Sequence, residues 1–325
     1  MTDICSLNIE ELKSFMAEIG EKPFRATQVF EWIHVKKVNS FDEMTNLSKA
    51  LREKLSESAE FLFPEVELKQ TSKIDGTRKY LFKLKDGNMI ESVLMSYHHG
   101  YSICISSQVG CRMGCTFCAS GIGGLIRNLT PSEMLGQVYG AAKEAGVNID
   151  SIVIMGTGEP LDNFDNLVKF LELITDEKGN NLSRRSVTIS TCGLVPKIKE
   201  LADLNPGATL ALSLHAATQE KREKIMPIAK SYEIHEVLDA FDYYFKKTGR
   251  RGTIEYSLVA GVNDADEDAE NLHKLLKGKN CHVNLIPVNP VEELGFKNPT
   301  KQACLAFQKK LENCGINVTI RRELG

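Results

Sequence analysis

Residues 104–121, "CISSQVGCRMGCTFCASG", contain four of the nine cysteines in a chain of 325 residues. Three of them, Cys111, Cys115 and Cys118, follow the spacing C-x3-C-x2-C, and Cys104 lies seven residues ahead of this triplet. A structural zinc ion usually takes four protein ligands in two separated pairs, so zinc would need Cys104 or a remote residue as its fourth ligand. Three close thiols can also be plain buried thiols. The spacing alone leaves both interpretations open, and the position of the triplet in the fold is needed to choose between them.

The triplet follows the first strand of a regular strand–helix alternation that begins near residue 100. Helical segments separate the apolar strand candidates, and this order predicts a parallel sheet covered by helices. About 220 residues are too few for a closed eight-unit barrel, so we expect an α/β fold with a partial, open (β/α)6 barrel. Ligands of such folds gather at the carboxyl ends of the strands. The strand candidates are "YSICISS", "SIVIMG", "SVTIST", "ATLALSLHA", "GTIEYSLV", "CHVNLIPV" and "INVTIRRE".

The first 95 residues have a different pattern. Residues 8–60 contain three amphipathic segments with apolar side chains at helical spacing, and Gly20 ends the first of them. Residues 78–97 alternate in polarity around Asp86 and Gly87, which predicts a β-hairpin. We therefore expect two domains: a small N-terminal helical domain with a β-hairpin over residues 1–95, and the partial barrel over residues 96–325.

Composition limits the class of protein. The chain is 42% hydrophobic and 26% charged with a net charge of −3, which is typical of a globular protein and argues against a wholly basic surface. No apolar run approaches the roughly 20 residues that span a bilayer, and the N-terminus lacks the pattern of a secretory signal. Nine unevenly spaced cysteines do not suit a disulfide scaffold. We therefore expect a cytoplasmic protein with reduced thiols and no membrane partner.

Polar and glycine-rich groups follow several of the predicted strands. "GTGEP" at residues 156–160 follows the second strand, and Ser190, Ser213 and Asn289 lie at the ends of later ones. Each could be a turn or a satisfied polar group, but their convergence on the edge that carries the triplet favours a ligand site. A [4Fe–4S] cluster held by three cysteines leaves one iron open, and that iron can chelate S-adenosylmethionine (SAM). The triplet in this position is typical of radical SAM enzymes.

Beyond the triplet, the chain resembles the RlmN/Cfr family of radical SAM RNA adenine methyltransferases over nearly its whole length. "GTGEPLDNFDN" is more similar to the RlmN branch, which methylates adenine C2, than to the Cfr branch, which methylates C8. The resemblance implies methylation of 23S rRNA and, in some members, of tRNA, with two SAM molecules per turnover. It also implies an RNA contact by the N-terminal domain and a flavodoxin-type electron donor. We expect a monomer, because RNA must reach the open mouth of the barrel. The segments that carry the resemblance include "FRATQVFEWI", "CISSQVGCRMGCTFCASG", "RNLTPSEMLGQV", "SLHAATQEKREKIMPI", "VNLIPVNP" and "VTIRRELG".

The resemblance also implies roles for individual residues. In this family a cysteine thiol is methylated first, and a radical formed from it then adds to the adenine. Cys104 matches the second cysteine, which forms a disulfide and releases the RNA, and Glu91 matches the proposed base that removes the C2 proton. Cys111, Cys115 and Cys118 match the cluster ligands. The matching SAM-binding positions are Gly158, Glu159, Ser190, Ser213, Leu214, His215 and Asn289.

The family's methyl-carrying cysteine lies a few residues beyond "RRELG", and the given sequence stops at Gly325. We expect a C-terminally short version of an ordinary family member. One alternative is a family member that binds the cluster and SAM but is inactive or performs another radical reaction. Another is a zinc-stabilised RNA-binding protein without redox chemistry.

Overall fold

The computed structural model describes residues 1–289 and 294–322. Strands in these ranges include two short pairs outside the main sheet, one of which (β7 and β8) flanks the cysteine triplet. The strands are β1 (Thr2–Asp3), β2 (Ala59–Glu60), β3 (Glu65–Thr71), β4 (Arg78–Lys83), β5 (Met89–Tyr97), β6 (Gly100–Cys104), β7 (Gln108–Gly110), β8 (Leu125–Asn128), β9 (Ser151–Ile154), β10 (Val187–Thr191), β11 (Thr209–Ser213), β12 (Gly252–Leu258), β13 (Cys281–Pro287) and β14 (Val318–Ile320).

The helices lie mainly between the parallel strands. No helix in the described ranges combines the length and the apolar character needed to cross a membrane. The helices are α1 (Ile9–Glu18), α2 (Arg25–His34), α3 (Lys49–Ser58), α4 (Pro131–Ala145), α5 (Phe164–Ile174), α6 (Val195–Leu204), α7 (Gln219–Ile225), α8 (Ile234–Thr248), α9 (Asp266–Leu276) and α10 (Lys301–Asn313).

One large sheet organises the fold. In the described part of the chain it has ten strands in the order β14-β13-β12-β11-β10-β9-β6-β5-β4-β3. Strand β6 and strands β9 to β14 are parallel, and β5, β4 and β3 extend the sheet in antiparallel fashion. Helices connect each parallel strand to the next, which confirms the predicted partial (β/α)6 barrel. Helix α7 is an additional short helix between β11 and α8, and the sequence patterns did not predict it.

The two faces of the parallel sheet differ, whereas the strands were expected to be apolar throughout. Paired residues of neighbouring strands point to the same face. The outer face carries fully buried apolar side chains such as Ile152, Ile189 and Leu210. The inner face carries small and polar side chains, because Ser213 pairs with Glu255 and Glu255 pairs with Asn284. The helices pack on the outer face, so the inner face is left for ligands.

The N-terminal region forms the predicted helices α1, α2 and α3, and their apolar faces share one core with the barrel. The hairpin of β4 and β5 is also confirmed, with Gly87 at φ +87° in its turn. Strand β3 was not predicted; its only large apolar side chains, Val66 and Leu68, are exposed, as are its other five residues. Strand β5 pairs with β6, so the sheet continues across the expected boundary between residues 95 and 96. The division into two domains stays a prediction.

Candidate active site

A cavity of about 200 Å³ opens at the carboxyl ends of the parallel strands. The cysteine loop, residues 111–118, forms part of its wall, and the turns after β9, β10 and β11 form much of the rest. The structure therefore brings the cysteine triplet and most of the predicted SAM-binding positions to one place. The predicted residues that line the cavity are Cys111, Cys115, Cys118, Gly158, Glu159, Ser190, Ser213 and His215.

Backbone hydrogen bonds hold the cysteine loop at two points. The N–H of Cys111 donates to the Gly124 carbonyl at 3.0 Å, and the N–H of Thr116 donates to the Ile225 carbonyl at 2.9 Å. Gly110 precedes the loop with φ +75°, and a Cβ at this position would collide with the Gly124 carbonyl. The loop is therefore fixed against β8 on one side and against the end of α7 on the other.

The three thiols are partly exposed and face a common cavity. Burial raises the pKa of Cys111 and raises that of Cys115 to about 12, and the charges of neighbouring thiolates add to the effect. Within residues 1–289 and 294–322, no three His, Cys, Asp or Glu side chains converge as the ligands of a single ion would. An iron–sulfur cluster instead binds its thiolates through separate irons and deprotonates them. Three thiols on the wall of one cavity fit the donor set of such a cluster.

Gln108 links the cysteine loop to the "GTGEP" turn. Its Nε2 donates to Asn128 Oδ1 at 2.8 Å and to Asp162 Oδ2 at 3.0 Å, and its Oε1 accepts from the N–H of Glu159 at 2.8 Å. Gly158 has φ +108°, and a Cβ there would lie 2.6 Å from Gln108 Cβ. This glycine is therefore required by its packing against Gln108, whether or not a ligand also approaches the backbone.

Glu159 is buried, with a side chain that reaches the cavity. Its Oε1 accepts from the N–H of Leu161 at 3.0 Å, and its Oε2 accepts from the N–H of Cys192 at 2.8 Å. Burial raises the pKa of Glu159, and the hydrogen bonds from Cys192 and Leu161 partly oppose this. Each carboxylate oxygen can accept a further hydrogen bond, so the group can still bind an amino group in the cavity.

Glu159→Gln is expected to destabilise the turn, because a glutamine amide has only one acceptor oxygen for two backbone N–H donors. One buried N–H then loses its partner, and we expect the free energy of unfolding to fall by about 1–3 kcal/mol. Chemical denaturation of the iron-free chain measures this change. The exposed Glu57 provides a matched control as Glu57→Gln. An equal stability for both variants would show that the two hydrogen bonds do not hold the turn.

His215 contributes a neutral imidazole to the cavity. Its Nδ1 accepts from the N–H of Ser257 at 2.9 Å, and burial lowers its pKa to about 3. The ring therefore carries its proton on Nε2, the nitrogen free to donate to a ligand. Phe117 of the cysteine loop packs edge-on against this ring with the centroids 5.0 Å apart. Beside it, the hydroxyls of Ser190 and Ser213 lie 3.3 Å apart on the inner face of the sheet.

Cys104 lies at the end of β6, paired with Val93 of β5 and Val153 of β9. It is a free, buried thiol, and burial raises its pKa while the charge of Arg321 opposes the shift. Arg321 itself lines the cavity. Cys104 is therefore close to the cavity but separate from the three thiols that line it.

Three other predicted residues lie outside the cavity wall that the structure describes. Glu91 is on β5 with 53% of its side chain exposed, and it pairs with Lys79 at 2.6 Å. Leu214 is fully buried, and its carbonyl accepts from the Nε of Arg222 at 3.3 Å. Asn289 is exposed. The structure does not bring these side chains to the cavity, and their roles stay predictions.

Sequence patterns missed three groups at or near the site. Cys192 and Glu255 are buried and line the cavity, and Glu255 Oε2 accepts from Asn284 Nδ2 at 2.9 Å. Arg222 of helix α7 is fully buried, and its Nη2 donates to the carbonyl of Cys192. The alternation of side chains along "GTIEYSLV" places Glu255 and Ser257 on the same face of the strand, and this pattern could have identified Glu255 as a residue of the site. The stretch "QEKREKI" offers no such signal for Arg222, because its neighbours are also charged.

Two family models match this chain. The model of the ribosomal RNA large subunit methyltransferase N-terminal domain matches residues 2–61. The model of the Radical SAM superfamily matches residues 105–276, which include the cysteine loop and most of the cavity wall. The two matches correspond to the N-terminal helices and to the barrel.

Proteins similar over the whole chain agree with these matches. A relative from Lachnospira eligens, named probable dual-specificity RNA methyltransferase RlmN, is 58% identical over 100% of this chain and 93% of its own length. A relative of the same name from Lachnoclostridium phytofermentans is 58% identical over 99% of this chain and 91% of its own. The crystal structure of a radical SAM methyltransferase from Sphaerobacter thermophilus is 40% identical with a TM-score of 0.96, over 100% of this chain and 96% of that one. The chain therefore belongs to the RlmN family of radical SAM RNA methyltransferases.

Proposed function

We propose that this chain belongs to an enzyme that methylates C2 of an adenine in 23S rRNA and in tRNA, using two SAM molecules per turnover and a methyl-cysteine intermediate whose cysteine the given residues do not contain. The observation that carries the proposal is the single cavity that joins three cysteine thiols to Glu159 and His215. The stretch "GTGEPLDNFDN" supports the C2 position, since it resembles the RlmN branch. The relatives named as dual-specificity enzymes support two classes of RNA substrate.

The chain's own residues prepare the cavity for SAM. The three thiols would hold the family's [4Fe–4S] cluster, which would supply the electron for the reductive cleavage of SAM. Glu159 accepts from the amino group of SAM, and the Nε2–H of His215 donates to an acceptor of the same ligand. Leu214 acts through its carbonyl, which holds Arg222 behind the wall. Asn289, which is exposed and follows β13, is proposed as a further contact to SAM.

Cys104 is proposed as the thiol that releases the product. The thiol of Cys104 gives up its proton and its sulfur attacks the sulfur of the methyl-carrying cysteine, so that a disulfide forms. The bond from that sulfur to the RNA-bound carbon breaks, its electron pair goes to that carbon, and the carbon takes up one proton to become the methyl group. The location of Cys104 beside the cavity supports this role. Glu91 lies two positions along β5 from the residue that pairs with Cys104, on the same face of the sheet. This placement supports Glu91 as a base for an RNA bound at the open side of the barrel.

Cys104→Ala is expected to retain its iron and to accumulate a covalent complex between protein and RNA, because the step that breaks the adduct lacks its thiol. The assay uses the chain extended by a family-type C-terminal segment that supplies the methyl-carrying cysteine. Denaturing gel electrophoresis with labelled RNA measures the complex. Cys5, which is buried in the N-terminal core, gives the control Cys5→Ala. Normal turnover without a trapped adduct in Cys104→Ala would exclude the role.

The position of methylation is tested by mass spectrometry of digested RNA. The anaerobically reconstituted, extended chain is incubated with a 23S rRNA fragment or a tRNA, SAM and a flavodoxin-type donor, which we propose as the electron source. We expect 2-methyladenosine as the product. We also propose that the enzyme is a monomer and that it acts in the cytoplasm. If 8-methyladenosine forms instead, the C2 assignment is wrong. If 5′-deoxyadenosine forms without any methylated adenosine, the chain performs another radical reaction.

A further inference from the structure

Arg222 is a fully buried arginine without an ion-pair partner in the described part of the chain. It lies in the last turn of α7, where its Nη2 donates to the Cys192 carbonyl at 2.6 Å and its Nε donates to the Leu214 carbonyl at 3.3 Å. Its Nη1 is buried and has no hydrogen-bond partner there. The guanidinium therefore donates hydrogen bonds only to neutral carbonyl groups, and one of its nitrogens makes none in the described part of the chain.

A buried cation of this kind is costly unless a negative charge compensates it. Backbone carbonyls supply partial charges, but they do not cancel a full one. Burial lowers the pKa of Arg222, and negative charge on Cys192 or Cys115 would oppose this effect. An anion near the cysteine loop would remove the imbalance.

The surroundings of Arg222 indicate which anion this is. Arg222 does not line the cavity, so a ligand in the cavity is separated from it by the wall. The carbonyl of Ile225, one turn further along α7, accepts from the N–H of Thr116 in the cysteine loop at 2.9 Å. Helix α7, which bears Arg222, therefore contacts the cysteine loop directly. Apolar side chains, including the buried Met226 and the partly buried Met113, pack at this junction, and their low polarity strengthens charge interactions across it.

We propose that Arg222 is the buried counter-charge of the cysteine loop, and that it balances the negative charge of the loop when its three thiols bind the cluster as thiolates. The inference rests on the cluster and is independent of which RNA base is methylated. Because an added electron is stabilised by a nearby cation, the same charge makes the cluster easier to reduce. Arg222 is thus a positioning residue: it does not line the cavity, and its charge acts on the cluster through the cysteine loop.

The test compares Arg222→Met with Arg222→Lys in the anaerobically reconstituted chain. Arg222→Met removes the charge, and we expect its one-electron midpoint potential to become more negative by about 59 mV or more, a tenfold change in the reduction equilibrium. Arg222→Lys keeps the charge and loses much of the carbonyl bonding, and we expect a potential close to that of the parent chain. Equal potentials for the Met variant and the parent chain would overturn the proposal.

A second measurement separates the counter-charge from a purely structural role. In the iron-free chain the charge is unbalanced, so Arg222→Met should unfold at a temperature no lower than Arg222→Lys does. If the Met variant binds no iron while the Lys variant does, the proposal is also supported; if neither binds iron, it fails. Arg250 gives the control, since its Nη2 also donates to a carbonyl, that of Gly207, at 2.7 Å. Arg250 precedes β12, at the opposite end of the strands from the cavity, so Arg250→Met should leave the potential unchanged.

Discussion

Cys115→Ala is expected to leave the chain without a stable iron–sulfur cluster and without SAM cleavage. The three thiols on the cavity wall supply all the protein ligands that we assign to the cluster. Two thiolates cannot hold four irons while one iron remains open, so iron should fall from about four per chain to near zero. Iron and sulfide analysis after anaerobic reconstitution measures the loss, and the yield of 5′-deoxyadenosine measures its consequence.

Cys314→Ala is the matched control for this loss. Cys314 is an exposed thiol that follows α10, away from the cavity, and its replacement should leave iron content and SAM cleavage at the level of the parent chain. A Cys115→Ala chain that still holds four irons would show that the cluster is bound elsewhere. A Cys314→Ala chain that lost its iron would lead to the same conclusion.

Gly110→Ala is expected to displace the cysteine loop before any ligand binds. Gly110 has φ +75°, which strains any residue with a Cβ, and the added methyl group meets the carbonyl of Gly124. That carbonyl accepts the hydrogen bond from Cys111, so relief of the clash moves the first cluster ligand. Backbone strain and overpacking together should lower the free energy of unfolding by about 2–5 kcal/mol. Denaturant unfolding of the iron-free chain measures the stability, and iron content after reconstitution measures the ligand geometry.

Gly123 offers a control within the same loop region. A Cβ at Gly123 would have nothing within 4 Å, and this residue does not have the positive φ of Gly110. Gly123→Ala should therefore change stability and iron content little. If Gly110→Ala behaved like Gly123→Ala, the contact between β7 and Gly124 would not be what fixes the loop.

The cysteine triplet and the hairpin turn are determined by neighbouring residues, so both could be predicted from the sequence. The triplet spacing and the strand order placed Cys111, Cys115 and Cys118 at the carboxyl end of the first parallel strand, and the cavity is found there. The turn of Asp86 and Gly87 has a strong local preference, so the hairpin was also predicted. These features are encoded within a few residues of one another.

Features that depend on tertiary contacts could not be predicted in this way. Strand β3 buries none of its side chains, and it is ordered by pairing with β4 at the edge of the sheet. Arg222 has charged neighbours in sequence, and only the packing of α7 against the cysteine loop buries it. Gly158 was predicted as a SAM-binding position, and the structure shows that the close approach of Gln108 already requires a glycine there.

The central claim is that the cysteine loop holds a cluster with one iron open to SAM. The most direct test is reconstitution of the chain with iron and sulfide under anaerobic conditions, followed by incubation with SAM and a reductant. We predict about four irons and four sulfides per chain, absorbance near about 400 nm, and release of 5′-deoxyadenosine and methionine in equal amounts. A colourless protein that carries one zinc ion and leaves SAM intact would contradict the account.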